Sequence, residues 1–411
     1  MTSPTLDLTH VRSQFPGLSR GWTLFDNAGG SQILRGAVER MTEFLFDKNV
    51  QIGGSYDISL AAADALREAR MAAATLMNAA RPEEIIFGPS TTVLLQNLSR
   101  AVRSQLQPGD EVIVTMADHE SNIGPWVTLQ EFGIILKFWP LNHETLTLDL
   151  ADLAPLMTDR TKLVAVTHVS NILGQVNPIA EIARFVHGHG ARICVDAVAY
   201  APHRAIDVQA WDVDYYVFSL YKTYGPHYAV MYGKHDHLLE LDTLYHYFYG
   251  KDKVPGKLEP GNPSYECAYS TLAIRDYFAG LGGAAATPRA GIEAGFAAVT
   301  AQEDALVDRL LSYLTARNDC RVFGATTNVA SKRIPTVAFR FDGHNSGDLA
   351  KAMDAHKIAI RHGDFHSRRL VEDLGQTGDG GLLRVSMVHY NTLDEVDHLC
   401  TALDTILRKA A

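Results

Sequence analysis

Short apolar runs recur along the chain, and most are separated by stretches with helical spacing. Seven of these runs begin near residues 84, 111, 134, 162, 192, 213 and 228. Runs of β-branched and aromatic residues bounded by turn residues are typical of buried strands, and helices between them connect parallel neighbours. The pattern therefore predicts an α/β fold with a seven-stranded, mainly parallel, doubly wound sheet.

The bulk composition narrows the class of protein. The chain has 411 residues, of which 46% are hydrophobic, enough for a large core and a second, smaller lobe. A net charge of −10 predicts no nucleic-acid surface, and no apolar run approaches the roughly 18 residues needed to cross a membrane. The chain start lacks the basic and apolar segments of a secretory signal. Four scattered cysteines argue against disulfides and a zinc site, so we expect a reducing cytoplasm and no metal.

The run VDYYVFSL, from Val213 to Leu220, ends just before Lys222. A lysine just past a buried strand, among apolar neighbours, is poorly hydrated. Poor hydration favours the neutral amine, and a neutral amine can form a Schiff base. The alternative that these residues leave open is a lysine that caps the strand with its ammonium group in water.

A second apolar strand, beginning at Arg192, ends on Asp196. Asp196 precedes Lys222 by one strand–connection–strand unit, so parallel strands would bring both to the carboxyl edge of one sheet. An aspartate and a lysine there fit pyridoxal 5'-phosphate. The lysine would hold its aldehyde as an imine, and the aspartate would pair with the pyridinium nitrogen.

Three stretches resemble one known family: FDNAGGSQI (25–33), VDAVAYAPHRAIDVQAWDVDYYVFSLYKTYGPHYAVMYGK (195–234) and LRVSMVHYNTLDEVDHL (383–399). Their order resembles the class V aminotransferase family, particularly its cysteine desulfurase-like and selenocysteine lyase-like branch. The resemblance implies fold-type I of the pyridoxal phosphate enzymes and a homodimer with shared active sites. We expect an N-terminal arm (1–20), a large cofactor-binding domain (21–290) and a small α+β C-terminal domain (291–411).

Hydroxyl residues open the helix that follows the first strand of the sheet. Thr91 and Thr92 are good helix caps, and the same geometry presents backbone N–H groups to an anion. Ordinary capping would be the simpler interpretation if these residues stood alone. With Lys222 and Asp196 in place, a phosphate cradle is favoured, and the resemblance supports Thr91, Thr92 and Ser219 in this role.

Three further cofactor contacts rest on the resemblance. A lone histidine is more often structural, but the match of DHESNIGPW implies that the ring of His119 stacks on the cofactor and moves protons. Asn171 is implied to contact the cofactor's ring oxygen or the substrate. Asn262, in the turn LEPGNP, is implied to reach the neighbour's cofactor phosphate across a dimer interface; a simple surface loop is the alternative.

Arg384 lies inside an apolar strand, where its charge requires a partner. A planar guanidinium suits bidentate capture of a carboxylate, and the LRVS…YNT context resembles the family's substrate-carboxylate arginine. An internal salt bridge is the alternative. The loop RHGDFHS (361–367) adds Arg361, His362 and His366 as candidate specificity contacts. The residues around Asn27 by themselves favour a simple strand-to-helix turn, whereas the resemblance implies that this segment lines the substrate pocket.

The same loop departs from the family. Cysteine desulfurases carry their nucleophilic cysteine there, and this chain has His366, whose imidazole cannot form a persulfide. Ala199 and Tyr221 replace a glutamine and a histidine that are usual in desulfurases. Standard sulfur mobilisation is therefore not expected.

The leading hypothesis is a cytoplasmic pyridoxal phosphate-dependent enzyme that acts on an α-amino acid through Lys222. We expect a lyase-type reaction, the β-elimination of a C–S, C–Se or other bond, without a persulfide cysteine. An aminotransferase, an epimerase and a non-catalytic dimeric paralogue acting as a partner protein remain open. A nicotinamide enzyme is disfavoured because no G-x-G-x-x-G motif follows a strand.

Overall fold

The computed structural model describes residues 6–244 and 246–410. The α-helices α1 to α14 span, in chain order, Leu8–Ser13, Arg35–Asp47, Asp57–Met77, Thr91–Val102, Gly124–Val127, Leu150–Leu153, Ile179–His187, His235–Glu240, Tyr265–Tyr269, Thr271–Leu281, Pro288–Thr315, Ser346–Met353, Arg368–Asp373 and Leu393–Ala410. The strands β1 to β13 span Thr23–Leu24, Ile85–Gly88, Glu111–Thr115, Ile135–Trp139, Thr161–Thr167, Arg192–Asp196, Tyr215–Ser219, Ala229–Gly233, Cys320–Phe323, Thr336–Phe341, Ile358–Ala359, Arg361–Gly363 and Leu382–Ser386. Within the described ranges, none of the helices combines the length and apolarity that a membrane span requires.

The larger sheet has the strand order β2-β8-β7-β6-β5-β3-β4. Strands β7, β6, β5, β3 and β4 are parallel, whereas β8 runs antiparallel to both of its neighbours. Alternate residues of β5 enter two separate apolar clusters, with Val164 and Val166 on one face and Leu163 and Ala165 on the other. A strand covered on both faces has no polar side, so its sequence is a continuous apolar run. The predicted seven-stranded, mainly parallel sheet is confirmed.

Helix α4 illustrates how the sequence fixes the position of a helix against the larger sheet. The side chain of Ser90 accepts a hydrogen bond from the backbone N–H of Val93 at 3.2 Å, which caps the helix at its first turn. Leu94 and Leu98 lie on its buried face and pack in the cluster on one side of the sheet. The helix axis is therefore held against the sheet with its N-terminus at the strand ends.

The smaller sheet, in the order β12-β13-β10-β9, is antiparallel. The apolar face of α11 contributes Leu306, Leu310 and Leu314 to a cluster that also contains Phe339 of β10 and Leu403 of α14. Helices therefore cover an antiparallel sheet, as expected for a small α+β C-terminal region.

The segment before α2 joins the C-terminal strands. β1 pairs in parallel with β11, placing Thr23 opposite Ile358, and Phe25 lies in the C-terminal apolar cluster. Asp26 forms a single parallel bridge with Ser386. Residues 23–26, which we expected in the large domain, thus pack on C-terminal strands, and the domain boundaries stay a prediction.

Candidate active site

The carboxyl ends of the parallel strands surround one cavity. Seven residues that the sequence singled out as cofactor contacts line it together: Thr91, Thr92, His119, Asn171, Asp196, Ser219 and Lys222. They come from strand ends, loops and a helix start spread over more than a hundred residues of sequence. Parallel strands bring them together because all such strands end at the same edge of the sheet.

Lys222 ends a short 3₁₀ turn that follows β7 directly, and its side chain is buried. Burial, together with the nearby positive charge of Arg384, lowers the pKa of the Lys222 amine to about 8, although the charge of Asp196 acts in the opposite direction. An appreciable fraction of this amine is therefore uncharged near neutral pH, as a Schiff-base lysine requires.

Asp196, the last residue of β6, is also buried. Its Oδ1 accepts a hydrogen bond from the backbone N–H of Val198 at 2.9 Å. Burial raises the pKa of Asp196 to about 6, although this bond and the charge of Lys222 act in the opposite direction. A cationic partner in the cavity would remove much of the desolvation penalty.

The N-terminus of α4 closes one side of the cavity. The Thr91 and Ser219 hydroxyl groups lie 2.7 Å apart, so the helix start is tied to the end of β7. The backbone N–H groups of the first helical turn have no partner within the helix, and the helix dipole adds a positive potential there. This wall of the cavity suits a phosphate group.

His119 lies on a second wall. The backbone N–H of Ser121 donates to its Nδ1 at 3.1 Å, which leaves the ring proton of the neutral imidazole on Nε2. Burial lowers the pKa of His119 to about 3, with smaller contributions from the charges of Lys222, His366 and Arg384. The ring is therefore neutral at physiological pH.

Two arginines and an aspartate form a charged cluster beside the lysine. Arg384 donates from Nη2 to Asp26 Oδ1 at 3.0 Å, and Arg361 Nη2 lies 2.8 Å from Asp26 Oδ2. Burial lowers the pKa of Arg384 to about 10, an effect that the charge of Asp26 counteracts. The charges of Arg384 and Asp26 also shift the pKa of Lys222, so the cluster lies close enough to influence the amine.

The loop after β12 is pinned to the large sheet. Asn171 donates from Nδ2 to the carbonyl of Phe365 at 3.0 Å and accepts from the Ser367 hydroxyl at 2.8 Å. The backbone N–H of Glu120 donates to the carbonyl of His366 at 2.8 Å. Phe365 and His366 both have positive φ, 52° and 59°, a costly conformation for residues with a side chain. The loop holds the His366 ring centroid 5.5 Å from that of His119.

The structure places three predicted residues elsewhere. Asn262 lies on an exposed turn with φ 65°, outside the cavity of its own chain. The carboxamide of Asn27 is taken up by backbone carbonyls, including that of Ser386 at 2.8 Å, and by the hydroxyl of Tyr390. His362 points to the opposite face of β12, where its ring bonds the carbonyl of Gly380 at 2.8 Å.

The family model described as "Aminotransferase class-V" matches residues 23–399. The chain belongs to this family. FGM3 of Gibberella zeae, described as an aminotransferase-like protein, is 40% identical over 415 residues, covering 99% of this chain and 100% of the relative. The cysteine desulfurase of Dickeya dadantii is 31% identical, covering 98% and 97%. The crystal structure of the cysteine desulfurase CsdA from Escherichia coli has a TM-score of 0.84 at 27% identity, covering 98% of this chain and 99% of that one.

These findings confirm the predicted family, fold class and cofactor. Class V aminotransferases and cysteine desulfurases depend on pyridoxal phosphate, and so this chain is a pyridoxal phosphate-dependent enzyme. The cavity fits the group: it has a buried amine, a buried carboxylate whose desolvation calls for a cationic partner, and a helix N-terminus for the phosphate.

Sequence reasoning missed two members of this class V site. Asp26 was passed over, although it adjoins Asn27 in the DNAGG stretch and a carboxylate in an otherwise small, uncharged segment was a usable signal. No local sequence pattern marks Phe365, whose ring centroid lies 4.1 Å from the guanidinium carbon of Arg384.

Proposed function

We propose that the enzyme catalyses a lyase-type reaction, the β-elimination of a substituent from an α-amino acid, without forming a protein persulfide. The supporting observation is the loop at residues 364–367, which brings His366 and no thiol to the wall shared with His119. The four cysteines lie outside the cavity, and burial raises the pKa of each thiol. A nucleophilic cysteine needs the opposite shift.

Pyridoxal phosphate supplies an electron sink that stabilises negative charge at the substrate's Cα. Lys222 would hold the cofactor, and its amine would then accept the α-proton, a role that suits a base with a pKa of about 8. Asp196 would accept a hydrogen bond from the pyridinium nitrogen. Thr91, Thr92 and Ser219 would bind the phosphate, and the neutral ring of His119 would pack on the cofactor's face.

Arg384 would bind the substrate's α-carboxylate, and Arg361 and His366 would contact the side chain that leaves. Both polar groups of Asn171 are bonded to the 365–367 loop, so its contact with the cofactor would be secondary to holding that loop. Asn27 and His362 are omitted from the proposed site because the Asn27 carboxamide and the Nδ1 of His362 are bonded elsewhere.

Two further parts of the proposal concern the assembly. We infer a cytoplasmic homodimer in which Asn262 of one subunit contacts the cofactor phosphate of the other. Exposed apolar side chains on α2 and on the segment before Asn262, such as Phe46 and Phe248, would be buried by such a dimer. Light scattering of the purified protein tests this, and a monomer at micromolar concentration would refute it.

The test of the reaction starts with the visible spectrum of the purified protein and of Lys222→Ala, with Lys351→Ala on the exposed side of α12 as the matched control. We expect loss of the lysine-bound cofactor band in Lys222→Ala alone. Wild-type protein is then incubated with β-chloroalanine, cysteine, selenocysteine and alanine. Equal release of pyruvate and ammonia from the β-substituted substrates, with no persulfide on the protein, supports elimination.

Transamination is the second candidate, since FGM3 is described as aminotransferase-like. It would give a keto acid without ammonia and would require an acceptor keto acid, whereas epimerisation would only exchange the α-hydrogen. Persulfide on any of the four cysteines would overturn the proposal. A colourless protein that takes up no cofactor would favour a non-catalytic partner protein.

A further inference from the structure

Asp26 holds the two arginines of the site together. Its two carboxylate oxygens each take one guanidinium, at 3.0 Å from Arg384 and 2.8 Å from Arg361. The side chain of Arg384 is 3% exposed, that of Asp26 20% and that of Arg361 57%. The carboxylate therefore neutralises a guanidinium that is almost removed from water, and it anchors a second one that reaches solvent.

The backbone fixes where this carboxylate can lie. Asp26 is bridged to Ser386, and the N–H of Ala28 donates to the Ser386 hydroxyl at 2.8 Å. A Cβ atom at Gly29 would lie 2.8 Å from Asp26 Oδ2, so the glycine leaves the carboxylate its space. The side chain is confined between Gly29 and the two arginines.

The guanidinium of Arg384 is only partly satisfied. Its Nη1 donates to the carbonyl of Asn171 at 3.2 Å and its Nη2 to Asp26, while among the described residues its buried Nε has no partner. The N–H groups of Nε and Nη2 lie along one edge, which a carboxylate can bridge with two parallel hydrogen bonds. On that edge Asp26 accepts a hydrogen bond from Nη2 only. The buried Nε–H group has lost its water without gaining an acceptor, which is energetically unfavourable.

We propose that Asp26 is a positioning residue that occupies the place of the substrate's carboxylate in the substrate-free enzyme. The α-carboxylate of an amino acid displaces Asp26 from Arg384 and bridges its Nε and Nη2, while Asp26 stays on Arg361. Asp26 thus keeps the guanidinium aligned between turnovers and weakens the binding of carboxylates through competition and charge repulsion. The inference rests on the proposed role of Arg384 and extends it to selectivity for ligand charge.

The test uses the cofactor-loaded enzyme and an unreactive probe. Propionate, and propionamide as its uncharged counterpart, are titrated by calorimetry into wild type, Asp26→Asn and Asp342→Asn, a control at an exposed turn. Removing the competing charge is expected to tighten propionate binding by about tenfold in Asp26→Asn, with propionamide and the control unchanged. With a reacting amino acid, KM should fall while kcat changes little.

Propionate binding in Asp26→Asn that is unchanged or weaker would overturn the inference, since a purely structural aspartate would loosen the arginines. If Asp26→Asn does not fold, Asp26→Ser supplies the second arm, because it removes the carboxylate and keeps a short polar side chain; tighter propionate binding supports the inference, and unchanged or weaker binding overturns it. Arg384→Gln separates the two proposals. Retained propionate affinity in that variant would overturn the role of Arg384 itself.

Discussion

Replacing Glu259 with alanine is expected to destabilise the protein strongly. Glu259 forms a bidentate ion pair with Arg70 at 2.9 and 2.6 Å, and it also accepts the backbone N–H of Phe87 at 2.7 Å. The two charged side chains are 3% and 12% exposed. Truncating one partner of a buried pair leaves an uncompensated charge, which costs about 3–5 kcal/mol of unfolding free energy.

Two matched variants separate the cost of the unpaired buried charge from the cost of the lost hydrogen bonds. Glu259→Gln keeps the shape and one acceptor, so its cost is expected at about 1–3 kcal/mol. Joint replacement of Arg70 by Met and Glu259 by Leu removes both charges. It leaves mainly the unpaired N–H of Phe87, about 1–3 kcal/mol, so the double variant should be more stable than Glu259→Ala.

The assay is equilibrium unfolding in urea, followed by far-UV circular dichroism on the cofactor-loaded protein. A loss below about 1 kcal/mol in Glu259→Ala would refute the reasoning, because exposed pairs give values of that size. The ion pair also anchors the turn that carries Asn262 to β2 and α3. If that turn reaches a neighbouring subunit's cofactor, Glu259→Ala should release cofactor on dialysis faster than Phe339→Ala, a fully buried position of the smaller sheet whose truncation costs a similar amount, about 3–5 kcal/mol.

The remaining predictions concern the loop and the pH dependence. Asn171→Ala removes both bonds that hold Phe365 and Ser367, so kcat/KM should fall by about tenfold to a hundredfold, whereas Ser367→Ala, which loses one bond, should lose less; steady-state kinetics and hydrogen exchange of residues 364–367 check this order. Bonding to Asp214 raises the pKa of His187, so its stabilisation is full below the ordinary 6.5 and is lost as pH rises through the raised value. The Tm difference between wild type and His187→Gln should therefore shrink as the pH rises above the ordinary 6.5 and through the raised pKa, and a constant difference would contradict it.

The inner strands were predictable because burial on both faces leaves a continuous apolar run. The run that was expected to begin near residue 162 lies in the strand Thr161–Thr167, and polar residues flank it directly. The strand expected at Val213 begins instead at Tyr215. Asp214 explains the shift, because its carboxylate accepts the backbone N–H of Ile193 at 2.8 Å and bonds His187, which replaces strand pairing at that point.

The cofactor side of the site was predictable once the parallel strands of the sheet had been predicted. A lysine and an aspartate that end parallel strands must share an edge, whatever the loops between them do. The substrate side of the site was not predictable in this way. Asp26 bonds Arg361 and Arg384, which lie 335 and 358 residues further along the chain. No local sequence pattern encodes contacts over such separations. The direction of His362 depends on the pairing of β12 with β13, and the three residues Arg-His-Gly give no alternating apolar pattern from which to infer it.

The segment from Asp26 to Ser31 links the two halves of the site physically. At one end its aspartate holds Arg384, and at the other the backbone N–H of Ser31 donates to the carbonyl of Tyr221, the residue before Lys222, at 3.1 Å. The separation between the amine and the carboxylate-binding guanidinium is therefore set through this short, glycine-containing stretch. Substitutions within it should alter both the cofactor spectrum and carboxylate affinity, whereas changes confined to loop 364–367 should alter affinity and turnover while leaving the substrate-free spectrum unchanged.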